Sequence, residues 1–396
     1  MPRDKLPDDL KELLVLCEHG KLYDVEAWLA AGKRATANGD FRITPFIGSI
    51  RQGFHSLVEV FLKAGVIGQD EKDWGLSTAV SMRRIDLIEL LAEHGADPLS
   101  VDFNDEVLWT RIPKIIGWFI DRGADLETGY PIANTFRWGN RQFLGIYMGL
   151  RDKVPSARKQ AAMALRYHCG RGKMKWVSLL LWAGTDPRMV VPDLENPEAT
   201  DSEEDSYHFR SPLEEAVQSG QIEVVKKIGL KPGVDDFSAL LRRAASSEKP
   251  EVFRMLLEAG GDPNAGEEWE NPVQALMRYL GWNLAPSWGV GRADDVVACL
   301  ELAAQYGGRW TTADEYGLSS LRRGISKACK DYDHKAISLL QRLAKSGIME
   351  PETFRELMRT PRMREVLKSQ TSGADELRRF AGYDTLRSAK KLIRRR

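Results

Sequence analysis

The sequence predicts an all-α fold, a helical solenoid of about nine to ten helix-turn-helix units with short hairpin loops and a C-terminal helical cap. Two observations predict it. Four segments of the 396-residue chain end alike: EHGADP at Glu93–Pro98, DRGAD at Asp121–Asp125, WAGTDP at Trp182–Pro187 and EAGGDP at Glu258–Pro263, with weaker copies at Gly32 and Gly65. Gly32, Gly65, Gly95 and Gly123 are separated by 33, 30 and 28 residues. The next intervals, 61 to Gly184 and 76 to Gly260, each fit two units, the second swollen by an insertion. A two-helix unit of roughly 30 residues cannot bury its own apolar face, but a stack of them builds one elongated core.

The elements follow in order. Leu10 to Ala31 reads as a starting cap, with Asp8 and Asp9 facing water at its N-terminus. Thr44-Pro45-Phe46 opens a short helix that ends near Gly53. A threonine hydroxyl takes an orphan amide there, and proline needs no donor in the first turn. Leu57, Val58, Phe61 and Leu62 then share one face of a second helix, Leu57 to Lys63, and Gly65 suits a left-handed cap. Ser211-Pro212-Leu213 repeats the device, with Gly220 in the turn and Ile222, Val224, Val225 and Ile228 on the following helix. After Gly347 the pattern changes to helices around Pro351 to Lys368 and Ala374 to Ile393, which would close the far end. The organisation predicted is an N-terminal array over 1–190, an acidic insertion loop over 191–210, a C-terminal array over 211–347 and a helical cap with a basic tail over 348–396.

Thr44 to Gly65, TPFIGSIRQGFHSLVEVFLKAG, matches the pattern T-P-L-H-x-A-x-x-x-G-x-x-x-x-V-x-x-L-L-x-x-G without a gap, and Ser211 to Ile228 keeps the same register. The chain thus resembles an ankyrin-repeat protein over roughly Leu10 to Gly347. It departs from the family at the histidine that helps tie adjacent repeats, which the alignment replaces by Ile47, Val80 and Glu214. The resemblance implies protein–protein binding on an inner concave surface made of the first helices and the hairpin tips. The aromatics assigned to those tips are Phe41, Trp74 in DEKDWG, Phe103 in SVDFND and Trp269 in GEEWEN. Such rings are favoured in binding hot spots, although each could instead fold back over its neighbouring repeat. The function expected is a non-catalytic scaffold or adaptor, a subunit or regulator of a larger complex. The alternative is a nucleic-acid-binding accessory protein.

Lys+Arg and Asp+Glu both number 57, so any charge effect must be local. Residues 193–205 hold Asp193, Glu195, Glu198, Asp201, Glu203, Glu204 and Asp205 and no base. That is a solvated insertion, a lure for a basic partner, or a cover for the block before it. The block holds Arg137, Arg141, Arg151, Lys153, Arg158, Lys159, Arg166, Arg171, Lys173 and Lys175 against Asp152 alone, with Trp138, Tyr147, Tyr167 and Trp176 interleaved. Lys159 and Arg166, seven apart, share a helical face. An anionic partner, either an acidic protein surface or nucleic acid, would suit these residues; simple solvation also accounts for them. The tail places Arg378, Arg379, Arg387, Lys390, Lys391 and Arg394 to Arg396 over an apolar stripe of Leu377, Phe380, Leu386 and Ile393. It suits a capping helix, a phosphate- or membrane-surface helix, or an address signal.

Catalytic templates fail. There is neither H-E-x-x-H nor G-x-S-x-G, and Gly170-Arg171-Gly172-Lys173 is followed by Met174 where a phosphate loop needs Ser or Thr. Gly289-Val290-Gly291 lacks the third glycine of a dinucleotide turn. The six histidines lack ligand spacing, so no catalytic residue, no metal site and no cofactor is expected. Cys17, Cys169, Cys299 and Cys329 form no C-x-x-C pair. With no cationic, apolar leader and no stretch near 20 apolar residues, the expected location is cytoplasmic, without a transmembrane segment.

Overall fold

The computed structural model describes residues 6–36, 41–196, 208–266, 271–284, 293–310, 319, 321–325, 334–350 and 353. Their secondary structure is helical apart from isolated bridges. The chain divides into two compact units, Met1–Ala164 and Leu165–Arg396.

In the first unit, helices pair in sequence: α1 (Asp8–Glu18) with α2 (Leu22–Ala30), α3 (Pro45–Gln52) with α4 (His55–Lys63), and α5 (Gln69–Ser81) with α6 (Ile85–Glu93). A π-turn and a 3-10 turn, Phe103–Val107 and Leu108–Thr110, stand in for the first helix before α7 (Pro113–Ile120). Then come α8 (Pro131–Arg137), α9 (Phe143–Leu150) and α10 (Ala157–Gly170), inside which the unit boundary falls. First helices pack on first helices and second on second, α1 on α3 on α5 and α2 on α4 on α6. That is the stacking the ankyrin resemblance implies. The expected face of α4, Leu57, Val58, Phe61 and Leu62, is buried, and Phe61 meets Phe46 of α3 edge to face at 5.9 Å.

Two backbone devices recur. The turn inside each pair is closed by a left-handed residue: Gly20, Gly53, Arg83, Arg111 and Gly139 in the first unit and Gly172, Gly220 and Glu248 in the second. In four of the pairs the residue that starts the first helix, or the turn that stands in for it, lies nine residues before this position. Thr44 precedes Gly53, Asp102 precedes Arg111, Tyr130 precedes Gly139 and Ser211 precedes Gly220. The Thr44 hydroxyl accepts from the Ile47 amide at 3.2 Å, and Ser211 and Glu214 form a reciprocal capping box. The second device explains the G-A-D-P endings. Asp97, Asp125, Asp186 and Asp262 each accept a hydrogen bond from the amide two residues on, at 2.8 to 2.9 Å. The aspartate thereby folds its own following backbone into a side-chain-closed turn.

This register corrects one detail of the resemblance. Six residues before Arg83 lies Ser77, not Val80, so Ser77 occupies the place of Ile47. Its hydroxyl donates to the Glu106 carboxylate of the next repeat. Further along, the buried Gln160 accepts from the Ile132 amide at 2.9 Å and donates to the Leu126 carbonyl at 2.7 Å. These polar ties do the work the missing histidine would do.

The second unit continues with α11 (Met174–Trp182), α12 (Pro212–Gln218), α13 (Ile222–Ile228), α14 (Phe237–Ser247), α15 (Pro250–Glu258), α16 (Pro272–Asn283), α17 (Ala293–Gln305) and α18 (His334–Ser346). Arg188 clamps Asp235 through two nitrogens at 2.6 and 2.8 Å, and Arg342 holds Glu301 and Asp294. Trp310 is buried, its indole donating to Gln274 at 2.9 Å and its amide to the Ile348 carbonyl at 2.7 Å. Ile348 and Met349 are buried as well. The rest of the 348–396 cap, apart from Glu350 and Thr353, lies outside the described residues with its basic tail.

One buried carboxyl sits uneasily in this frame. Glu71, in the first turn of α5, is 1% exposed, and its Oε1 has no hydrogen-bond partner. Burial pushes its pKa above the ordinary 4.5, and the Thr44 hydroxyl pulls back only part of that. Between the unfolded and the raised folded value the native state holds the extra proton, so stability falls as pH rises through that window. Glu71→Gln should therefore stabilise the protein at pH 7 by about 1 kcal/mol. The gain should vanish below the ordinary 4.5, where both carboxyls are protonated. Urea unfolding of both proteins at pH 4 and pH 7 checks it; an equal difference at the two values would refute the assignment.

Candidate functional site

The first unit fixes its hairpin segments by side-chain hydrogen bonds from the first helices. On α5, Gln69 donates to the Gly95 carbonyl at 2.8 Å, Lys72 to the His94 carbonyl at 3.0 Å, and Asp73 accepts from the Asp97 amide at 2.7 Å. Asn104 donates to the Thr128 carbonyl at 3.2 Å. The carboxyl of Asp125 is held below its usual range by the Thr128 hydroxyl and the amides of Glu127 and Thr128. Side chains carried on these segments start from a fixed backbone, which lowers the entropy lost on binding.

The four aromatics fare differently. Trp74 is 43% exposed, but it lies within α5 rather than at a hairpin tip, because that helix begins at Gln69. Its neighbours pin it: Asp73 is engaged as above, and Gly75 packs so closely that a Cβ there would meet Phe46 and Ile50 at 3.0 Å. Phe103 is a correction. It takes the register place of Pro45, Pro131 and Pro212, the first residue of an inner helix, and like them is buried, at 7% exposure. Phe41 opens the short turn Phe41–Ile43, its side chain lying outside the described residues, as does all of Trp269.

The basic block is not one surface. In the first unit, Arg141, Lys153, Arg158 and Lys159 are exposed and Arg137 and Arg151 half-buried. Arg158 and Arg151 share Asp152, at 2.5 and 3.4 Å. In the second unit, Lys173 and Lys175 are exposed. Arg171 lies 3.8 Å over the Tyr167 ring and reaches Glu195 at 2.8 Å. Arg166 shares that helical face with Lys159 but not its exposure, since its side chain is only 4% exposed. It bonds Glu215 at 3.1 Å and the Val191 carbonyl at 2.8 Å, reaches Asp193 at 3.6 Å, and donates to the His208 carbonyl. The segment entering the acidic insertion crosses it, closed by the antiparallel bridge of Val191 and Arg210. Among the interleaved aromatics, Tyr147 is core and Trp176 stacks on His168 at 5.4 Å.

Of the acidic insertion, Asp193 and Glu195 thus meet Arg166 and Arg171. Residues 197–207, with Glu198, Asp201, Glu203, Glu204 and Asp205, lie outside the described residues. Trp109 escaped the sequence reading. It is 51% exposed and stacks on Trp138 at 5.1 Å. The signal that would have exposed it is the turn register, hidden because Arg111 stands where most turns have glycine.

Among the described residues no group of three or more His, Cys, Asp or Glu is placed to hold a metal ion. No described helix is long and apolar enough to cross a membrane. Burial pushes the Cys17 thiol up to about 11 and raises those of Cys169 and Cys299; Cys329 lies outside the described residues.

No family model matches the chain, and no curated protein matches it. Among solved structures it is similar to the ankyrin repeat domain of Bcl-3, a member of the IkappaB protein family, at 15% identity. That match covers 66% of this chain and 92% of the other with a TM-score of 0.30. A superposition so loose carries no weight, and the repeat assignment rests on the chain's own helix pairing, caps and turns.

The Arg166 clamp has a measurable consequence. Arg166→Met should cost about 2 to 3 kcal/mol, since it leaves the half-buried Glu215 with one arginine, Arg210, at 3.5 Å, and should speed proteolytic cleavage within 191–210. Lys159→Met, on the same helix but exposed, should change stability by less than about 0.5 kcal/mol. Equal unfolding midpoints for the two variants would show that the clamp holds nothing.

Proposed function

We propose that this chain is a non-catalytic interaction scaffold or adaptor that binds a protein partner on its first helices, as a subunit or regulator of a larger cytoplasmic complex. The observation that carries this reading is Trp74, a large indole exposed on a helix whose flanking residues are hydrogen-bonded and packed in place. An anchored tryptophan offers wide contact area at little entropic cost, the character of a binding hot spot. Asp70 and Asp73 on the same helix suit a basic or apolar protein surface better than phosphate. The nucleic-acid alternative loses support from the basic block, where Arg151, Arg158, Arg166 and Arg171 all pair with acids of this chain.

A photo-crosslinking residue at position 70, exposed one turn before Trp74 on α5 and used in lysate of the source cells with and without nuclease, should capture one protein in stoichiometric amount under both conditions. Trp74→Ala should then weaken that purified partner by about thirtyfold, or about 2 kcal/mol. Unchanged affinity would remove Trp74 from the site, and capture that disappears with nuclease would overturn the protein-scaffold reading.

A further inference from the structure

The edge of the first unit opposite its hairpins has a composition of its own. Four successive turns between paired helices, residues 51–55, 81–85, 109–113 and 137–141, read RQGFH, SMRRI, WTRIP and RWGNR. They contain six arginines (Arg51, Arg83, Arg84, Arg111, Arg137 and Arg141) and no acid. The turn before them carries Glu18 and bounds the patch. The hairpin side, by contrast, carries Asp97, Asp102, Asp105, Asp125 and Glu127. Arg84 is matched by Asp86 at 2.6 Å, but Arg51, Arg83, Arg111 and Arg141 are exposed and form no ion pair with any described acid.

Apolar side chains are threaded through these arginines. Phe54 and Met82 are 37% and 44% exposed, and Trp109 presents one face outward while its other face stacks on Trp138. Contacts join the turns in twos: Arg84 Nη1 donates to the Gly53 carbonyl at 3.4 Å and Trp109 meets Trp138, while the Phe54 ring lies over Gly20 of the turn before them. Two of the arginines, Arg83 and Arg111, hold the left-handed backbone that Gly20, Gly53 and Gly139 hold at the same register position. Glycine is the strain-free choice there, so these arginines stand against the local conformational preference.

We propose that this turn edge is a docking strip for an extended acidic peptide of a partner protein, with apolar side chains spaced between its carboxylates. Helices pack about 10 Å apart, so four turns span about 30 Å, the length of about nine extended residues. Guanidinium groups meet carboxylates as forks, while Phe54, Met82 and the outer face of Trp109 take the apolar side chains between them. Methionine adapts to varied apolar shapes. A single strand of nucleic acid fits less well, because the strip offers one free indole face where successive bases would need several. The strip is separate from Trp74, and neither reading depends on the other.

The test uses the full chain and a fluorescein-labelled decapeptide alternating glutamate with leucine or phenylalanine. The same peptide with lysine for glutamate, and a ten-nucleotide thymidine strand, complete the set. Anisotropy should show micromolar, salt-weakened binding of the acidic peptide alone. Trp109→Ala, or Arg83→Gly with Arg111→Gly, should weaken it at least tenfold. The glycine pair should also raise the melting temperature, so lost binding cannot be lost folding. Trp182→Ala, on an exposed position of the second unit, should leave binding unchanged. Equal binding of the lysine peptide, tighter binding of the oligonucleotide, or undiminished affinity in the glycine pair would overturn the proposal.

Discussion

Everything in this structure depends on one backbone constraint: paired helices must reverse direction through a residue in the left-handed region. The reversal lays the second helix antiparallel to the first, so that each pair presents apolar residues to its neighbours on both sides. Leu10, Phe46, Ile50 and Leu76 of first helices and Val25, Val58, Phe61 and Leu87 of second helices are all essentially fully buried. No pair could bury them alone. With the turn in place, the aspartate turn after the second helix follows 14 residues on at Asp97, Asp125, Asp186 and Asp262, and at Thr44 and Ser211 a capping hydroxyl stands nine residues before it.

That constraint also marks what could be read from the sequence. Gly32, Gly65, Gly95 and Gly123 follow second helices and are glycine throughout, so the period and the helix pairs were legible. The aspartates of the G-A-D-P endings were legible as a motif, though their role as turn acceptors needed coordinates. The turns inside the pairs were harder, because Arg83, Arg111 and Glu248 replace glycine there. Without those markers the sequence pattern aligns Val80 where Ser77 belongs and puts Phe103 on a tip, although it opens the turn that stands in for a first helix. The candidate site was less legible still. A seven-residue spacing does put Lys159 and Arg166 on one side of α10. What that spacing cannot say is that Val191, His208 and Glu215 would come back to cover only the second of them.

The charge distribution follows the same logic. A chain with 57 bases and 57 acids has no net field to steer a partner, and a run of ten bases in its sequence suggests a local one. Folding breaks that run up, pairing Arg151 and Arg158 with Asp152, Arg166 with Glu215 and Arg171 with Glu195, while Lys153, Lys159, Lys173 and Lys175 stay exposed. It also joins two members of that run, Arg137 and Arg141, to arginines from turns 28 to 30 residues apart that no local window would include. Sequence clusters and spatial clusters differ here because the repeat, not the neighbouring residue, decides which side chains share an edge.

The three non-glycine residues at the inner turn separate structural from outward-facing causes. An L-residue in the left-handed region costs roughly 1 to 2 kcal/mol, so each substitution calls for compensation. Glu248 has it within the fold, since its carboxylate accepts from the buried Asn283 amide at 2.9 Å and so ties one repeat to the next. Arg83 and Arg111 have no such bond: both are exposed, and neither side chain hydrogen-bonds or ion-pairs with a described residue. The same backbone cost is therefore offset inside the molecule at one position and left standing at the other two. Strain left standing at two exposed, charged residues is what docking of a partner's carboxylates at this edge, as proposed above, would account for.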